Sequence, residues 1–213
     1  MEDFRIPYTA LLLLLFAAIG TGLVAFTYEQ TKERIEQNER AAMLRSLRTL
    51  VPPEAHDNDL LADTITVRDR ALLGTDGPVT VYRARLNNQP MAVVLTPVAA
   101  DGYNGTIKLL VGIYYHDNAL SGVRVVSHRE TPGLGDDIDQ DRSDWILGFN
   151  GRSLSNPAPE AWKVRRDGGV FDQFTGATIS PRAVVKAVHN SLSYFSAHRD
   201  QLFAPAATGI IGK

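Results

Sequence analysis

From residue 6 to residue 26 the chain carries no charged side chain. A helix of that length rises about 30 Å, the thickness of a bilayer's hydrocarbon core. The stretch predicts a transmembrane helix. A cleaved signal peptide is the competing reading, with Arg5 as its basic start and Leu11 to Phe16 as its apolar centre. Against it, the residues ahead of Glu29 lack a small-x-small cleavage pattern, and the apolar run is long for a signal. Beyond it, residues 28–50 contain no Gly or Pro, are rich in Glu, Gln, Arg and Ala, and end before Pro52-Pro53. That composition predicts one continuous helix outward from the anchor. Its late apolar positions Met43, Leu44, Leu47 and Leu50 are placed to dock on a folded domain.

Past Asp57 the pattern shortens to β-rich runs at residues 64–67, 79–86, 91–96, 106–113 and 120–127. Asn87-Asn88 reads as the hairpin turn between the second and third. A short helix is expected at 141–148. A long helix is expected at 180–202, with Ser180 as cap and Pro181 at the first helical position. Val184, Ala187, Val188, Ser191, Leu192 and Phe195 recur on one face of that helix, while Lys186, Asn190 and His198 lie elsewhere, so it should pack on the sheet. The expected fold is α+β: an antiparallel sheet packed with helices, plus one N-terminal transmembrane helix. The expected divisions are an anchor at 1–27, a juxtamembrane helix at 28–53, a domain at 54–203 and a loose tail at 204–213.

Composition changes this picture in two ways. The net charge is −2 with Lys and Arg spread along the chain, so no basic stripe exists for a nucleic acid. Cysteine is absent, which removes disulfides, thiolate metal sites and cysteine-held iron–sulfur clusters from this chain. Redox chemistry here requires an organic cofactor or another subunit. Sidedness stays open, because Lys32, Arg34, Arg40, Arg45 and Arg48 follow the anchor and argue for a cytoplasmic domain, yet long domains translocate regardless of charge.

Several polar groups attract attention and lose it. Asp137, Asp139 and Asp141 alternate as in a calcium loop, but Arg142 stands where glycine is needed and Gly148 where glutamate is needed. They read as a solvated acidic helix start. His116 and His128 flank a strand without a Ser–His–Asp pattern around them. Trp145 and Trp162 are candidates for stacking on a ring, with core packing as the plainer reading.

The informative stretch is Asp172-Gln173-Phe174-Thr175-Gly176-Ala177-Thr178, followed at once by Ser180-Pro181. Gly176 and Ala177 leave the main chain open beside a hydroxyl, and the helix start supplies unpaired N–H groups suited to a phosphate. A phosphoester needs an alcohol oxygen, which Thr178 has. A plain turn into a capped helix explains the same residues structurally. In Glu130-Thr131-Pro132-Gly133-Leu134-Gly135, two glycines allow a flat ring to lie against peptide planes, and a surface turn is again the plain alternative.

Asp172-x-x-Thr175-Gly176-Ala177-Thr178 resembles the motif at which a magnesium-dependent flavin transferase attaches FMN in the FMN-binding domains of bacterial respiratory complexes. Thr175 stands where that family often has serine. The stretch from Gly102-Tyr103-Asn104-Gly105 through residues 107–112, and the 130–135 loop, are similar to segments of the same domain. With its short anchor, the chain resembles the G subunit of Rnf (Rsx) electron transport complexes, a family related to the C subunit of the sodium-pumping NADH:quinone reductase.

The resemblance implies FMN held covalently through Thr178. It implies a cofactor site of Thr175, Gly176, Ala177, Asp172, Glu130, Thr131, Gly133, Leu134 and Gly135, with the 130–135 loop over the isoalloxazine. It also implies electron transfer between ferredoxin and NAD coupled to sodium or proton movement. Implied partners are the membrane, iron–sulfur and flavin subunits of such a complex, and the transferase. The implied location is a bacterial inner membrane with the domain on the periplasmic side. The rival functional readings are an anchored extracytoplasmic binding or scaffold domain without cofactor, and a free-standing flavin reductase.

Overall fold

The structure, a computed structural model, describes residues 5–204. Apart from Ala204, the tail expected at 204–213 lies outside the described residues. Helix α1 (Arg5–Leu50) is unbroken over 46 residues, as the run without Gly or Pro after Tyr28 predicts. Its best window has a mean hydropathy of 2.3, enough in length and composition to cross a membrane. Leu11, Leu12, Leu13 and Leu14, four consecutive residues that point to different sides of the helix, are all exposed. A helix that shows its apolar side chains on every side is not the core helix of a soluble domain. The chain divides into two compact units, one ending at Arg45 and one beginning at Ser46.

The second unit is α+β. Its strands are β1 (Thr64–Val67), β2 (Val79–Leu86), β3 (Gln89–Leu95), β4 (Val98–Gly102), β5 (Gly105–Tyr114) and β6 (Leu120–Ser127). The helices are the short α2 (Arg70–Leu73) and the long α3 (Ile179–Phe203). All strand pairs are antiparallel. Val111 of β5 pairs with Leu95 on one side and Val123 on the other, while Lys108 pairs with Val98 and Ser127. So β3 and β4 share one edge of β5, and β6 runs along the other. Asn87 and Asn88 both have positive φ, 51° and 63°, the geometry of the tight turn expected between β2 and β3.

The expected stripe on α3 is buried at every position: Val184, Ala187, Val188, Ser191, Leu192 and Phe195. Fully burying one such apolar side chain is worth about 1.5–3 kcal/mol, so packing against the sheet rather than helix propensity holds α3 in place. Leu47 and Leu50, in the last turns of α1, are also fully buried. Gly112 and Gly122 face each other across β5 and β6. A Cβ on either would press on Leu50, so the two glycines form the groove that takes it.

Three expectations are corrected. β4 was absent from the sequence pattern, because its small residues Ala99 and Ala100 and its end at Asp101-Gly102 resemble a turn, and pairing with the start of β5 is what makes it a strand. The helix expected at 141–148 is a short 3-10 helix, Asp144–Phe149. Side chains of Asp139 and Ser143 take the main-chain N–H groups of Asp141 and Trp145, competing with a regular α-helix. α3 begins at Ile179 with Thr178 at the cap position, so Ser180 and Pro181 are the second and third residues of the helix instead of its cap and first.

Candidate functional site

The Thr178 segment is presented by a tight turn. Ala177 N–H donates to the Phe174 carbonyl at 3.1 Å, and Gly176, at the third position, has φ +81°. Glycine suits that position because the left-handed region costs other residues energy. Thr178 follows with helical backbone angles and no side-chain capping bond. The first bond of α3 runs from Arg182 N–H to the Thr178 carbonyl at 3.3 Å. The N–H groups of Ile179 and Ser180 precede it and have no helical partner, and Pro181 has no N–H to satisfy. A half-buried hydroxyl thus sits beside the positive end of a 25-residue helix.

The 130–135 loop closes the other side. Leu134 and Gly135 N–H both donate to the Thr131 carbonyl at 3.1 Å, with Gly133 at φ +75°. Glu130 is buried, and its Oε2 accepts a 2.6 Å bond from the Ser180 hydroxyl. Its Oε1 accepts from Asn104 N–H at 3.2 Å, in the turn between β4 and β5. The Glu130 N–H donates to Nδ1 of His128 at 3.1 Å, which makes that nitrogen the acceptor of the ring.

Between these segments lies an open cavity of about 210 Å³. It is lined by Glu130, Thr131, Leu134 and Gly135 from the loop, and by Gly176, Ala177 and Thr178 from the turn. Tyr103, Ile179 and Ser180 complete the wall. Seven of the ten residues expected from the sequence therefore meet in one place. The other three do not line it. Asp172 instead pairs with Arg165 at 3.0 Å, Thr175 is exposed at the tip of the turn, and Gly133 is exposed in its loop.

The three residues the sequence reading missed carry different signals. Tyr103 belonged to a stretch noted only for its resemblance. Ile179 is an apolar residue at a helix start. Ser180 was assigned as a cap, yet its hydroxyl serves Glu130. Neither Trp145 nor Trp162 lines the cavity; Trp162 is buried in the core, and Trp145 packs on Phe149 and Phe174. Among the described residues no group of three His, Cys, Asp or Glu is placed to hold a metal ion.

The wall suits a group with an anionic end and a flat apolar body. At one end lie the Thr178 hydroxyl, which makes no capping bond, and the N–H groups of Ile179 and Ser180, which have no partner within the helix. Tyr103, Leu134 and Ile179 are 66%, 43% and 43% exposed, so apolar surface faces the opening instead of the core. A bound ring would remove that surface from water.

Comparison with known proteins gives the family. Residues 102–193 match the FMN-binding domain family, and residues 3–50 match the RnfG N-terminal region. The chain thus carries an FMN-binding domain that follows a candidate membrane helix. The G subunit of the ion-translocating oxidoreductase complex of Pseudomonas aeruginosa is 51% identical, covering 92% of this chain and 91% of that protein. The corresponding G subunits of Vibrio cholerae and Shewanella baltica are 50% and 48% identical, over 90% and 91% of this chain and 91% of each of those proteins. The chain belongs to this G-subunit family. A crystal structure of Shewanella oneidensis NqrC aligns with 72% of this chain and 74% of that one, at a TM-score of 0.48 and 22% identity.

Proposed function

We propose that the chain is an electron-transfer subunit of an ion-translocating oxidoreductase complex, carrying FMN on Thr178 through a phosphoester bond. The observation that carries this reading is Thr178, which lines the cavity at the start of α3 and whose hydroxyl makes no capping bond. In the transferase reaction Thr178 Oγ1 attacks the flavin-side phosphorus of a flavin dinucleotide. The pyrophosphate P–O bond breaks to release a nucleoside monophosphate and the hydroxyl proton passes to solvent, leaving a phosphodiester with one negative charge beside the helix start. Tyr103, Leu134 and Ile179 offer the ring its apolar surface, and Gly176 lets the main chain approach it. Bound there, FMN supplies chemistry that accepts electrons singly or in pairs; the protein sets its position and surroundings.

α1 anchors the domain in a bacterial inner membrane, with the domain on the periplasmic side. The other membrane, iron–sulfur and flavin subunits of the complex are its partners, and electrons pass between ferredoxin and NAD with coupled sodium or proton export. A flavin transferase makes the ester during maturation. Support for these assignments comes from membership of the G-subunit family.

The test is in-gel flavin fluorescence of the denatured chain, made together with a flavin transferase. The native sequence should fluoresce and Thr178→Val should not. Native chains that release all flavin on denaturation, or a fluorescent valine variant, would overturn the ester. Co-purification of other membrane subunits with the tagged chain separates this function from that of a free-standing reductase.

A further inference from the structure

Glu130 is 5% exposed, a place where a carboxylate is costly unless something is gained. Its hydrogen-bond partners are neutral: the Ser180 hydroxyl at 2.6 Å and the Asn104 main-chain N–H at 3.2 Å. Two glycines from separate segments leave it room, since a Cβ on Gly102 or on Gly135 would come within 2.9 Å of a Glu130 carboxylate oxygen. Asn104 also donates its side-chain amide to Thr131 Oγ1 at 3.1 Å, tying the same turn to the loop a second time. Three segments therefore meet at one side chain: the β4–β5 turn, the 130–135 loop and the first turn of α3.

We propose that Glu130 is a positioning residue. Its carboxylate holds the start of α3, two residues after Thr178, against the segments that offer Tyr103 and Leu134 to the cavity. The attachment point and the surface on which a ring rests then keep one spacing. The inference rests on the reading of this cavity as a flavin site, but its central claim concerns the chain alone.

Four full-length variants test it: Glu130→Ala, Glu130→Met, Glu130→Gln and Ser180→Ala. Amide hydrogen exchange at Asn104 and at residues 182–185 is read in a Thr178→Val background, without flavin. The visible absorption and circular dichroism bands of the flavin are read in loaded chains with Thr178 intact. Glu130→Ala, Glu130→Met and Ser180→Ala should speed exchange about tenfold, as loss of one hydrogen bond would, and should shift the flavin bands. Glu130→Gln keeps the shape and an acceptor, and should restore native values in both. Native exchange and spectra in Ser180→Ala, or a methionine variant that restores them as well as glutamine, would overturn the proposal. If the native chain takes up no flavin, the flavin site fails while the exchange data still decide the role of Glu130. Should Glu130→Ala not fold, Ser180→Ala removes a single hydroxyl and decides alone.

Discussion

The indole N–H of Trp145 donates to the main-chain carbonyl of Asp172 at 2.8 Å, and its ring meets that of Phe174 edge-on at 5.2 Å. Phe174 is the first residue of the turn that presents Thr178. Trp145 also packs edge-on against the buried Phe149, so the turn is fastened to the core through one side chain. Trp145→Phe keeps most of the packing and loses the hydrogen bond. It should cost about 1 kcal/mol, read as a lower urea midpoint with an unchanged slope.

Gly176 has φ +81°, and a Cβ there would stand 3.5 Å from Leu134 Cδ2, an ordinary contact. Space is available but the backbone angle is unfavourable. Gly176→Ala should therefore lower stability by about 1–2 kcal/mol through backbone strain alone. Because the strain falls within the turn, flavin loading should drop in the same variant, measured by in-gel fluorescence against total protein.

Leu50 fills the groove between Gly112 and Gly122, which links the end of α1 to the middle of the sheet. Leu50→Ala should destabilise the domain by about 2–5 kcal/mol, the usual cost of a cavity at a buried leucine. Denaturant unfolding of the detergent-solubilised chain, followed by near-ultraviolet circular dichroism, measures it. An exposed leucine of the same helix, such as Leu13, should leave that midpoint unchanged on the same substitution.

Burial, with a smaller contribution from Asp69, pushes the Tyr194 phenol up to about 12. The folded chain keeps this proton while the unfolded chain releases it near the ordinary value of 10.0. Stability is thus complete below pH 10 and falls as pH rises from there toward about 12. Tyr82 and Tyr115 are raised as well, so the difference between the native chain and Tyr194→Phe isolates this residue. Among the described residues the buried Tyr194 hydroxyl has no hydrogen-bond partner. At neutral pH, Tyr194→Phe should accordingly be neutral or stabilising by up to about 1 kcal/mol. pH-resolved urea melts of both chains check the two effects.

Much of the fold was legible along the chain because its signals are local. The uncharged run before Phe26, the Asn87-Asn88 turn and the apolar stripe of α3 each follow from spacing within a few residues. β4 was not legible, since Ala99 and Ala100 pack as strand residues only when β5 lies beside them. Ser180 was misread for a related reason. Next to a proline it has the look of a cap, and nothing nearby in sequence announces a glutamate fifty positions earlier.

The sequence by itself determined which chemistry is available: no thiolate, an alcohol at Thr178 beside Gly176 and a helix start, and one apolar span. Those properties belong to residue types and short spacings. Only the tertiary structure decided that the 130–135 loop, the β4–β5 turn and the Thr178 turn enclose one cavity, with Asp172, Thr175 and Gly133 outside its wall. It also decided that Gly102, Gly135 and Ser180 serve the Glu130 carboxylate. Contacts between distant segments depend on how α3 seats on the sheet, and that seating is a sum of many small burial terms that no local motif encodes.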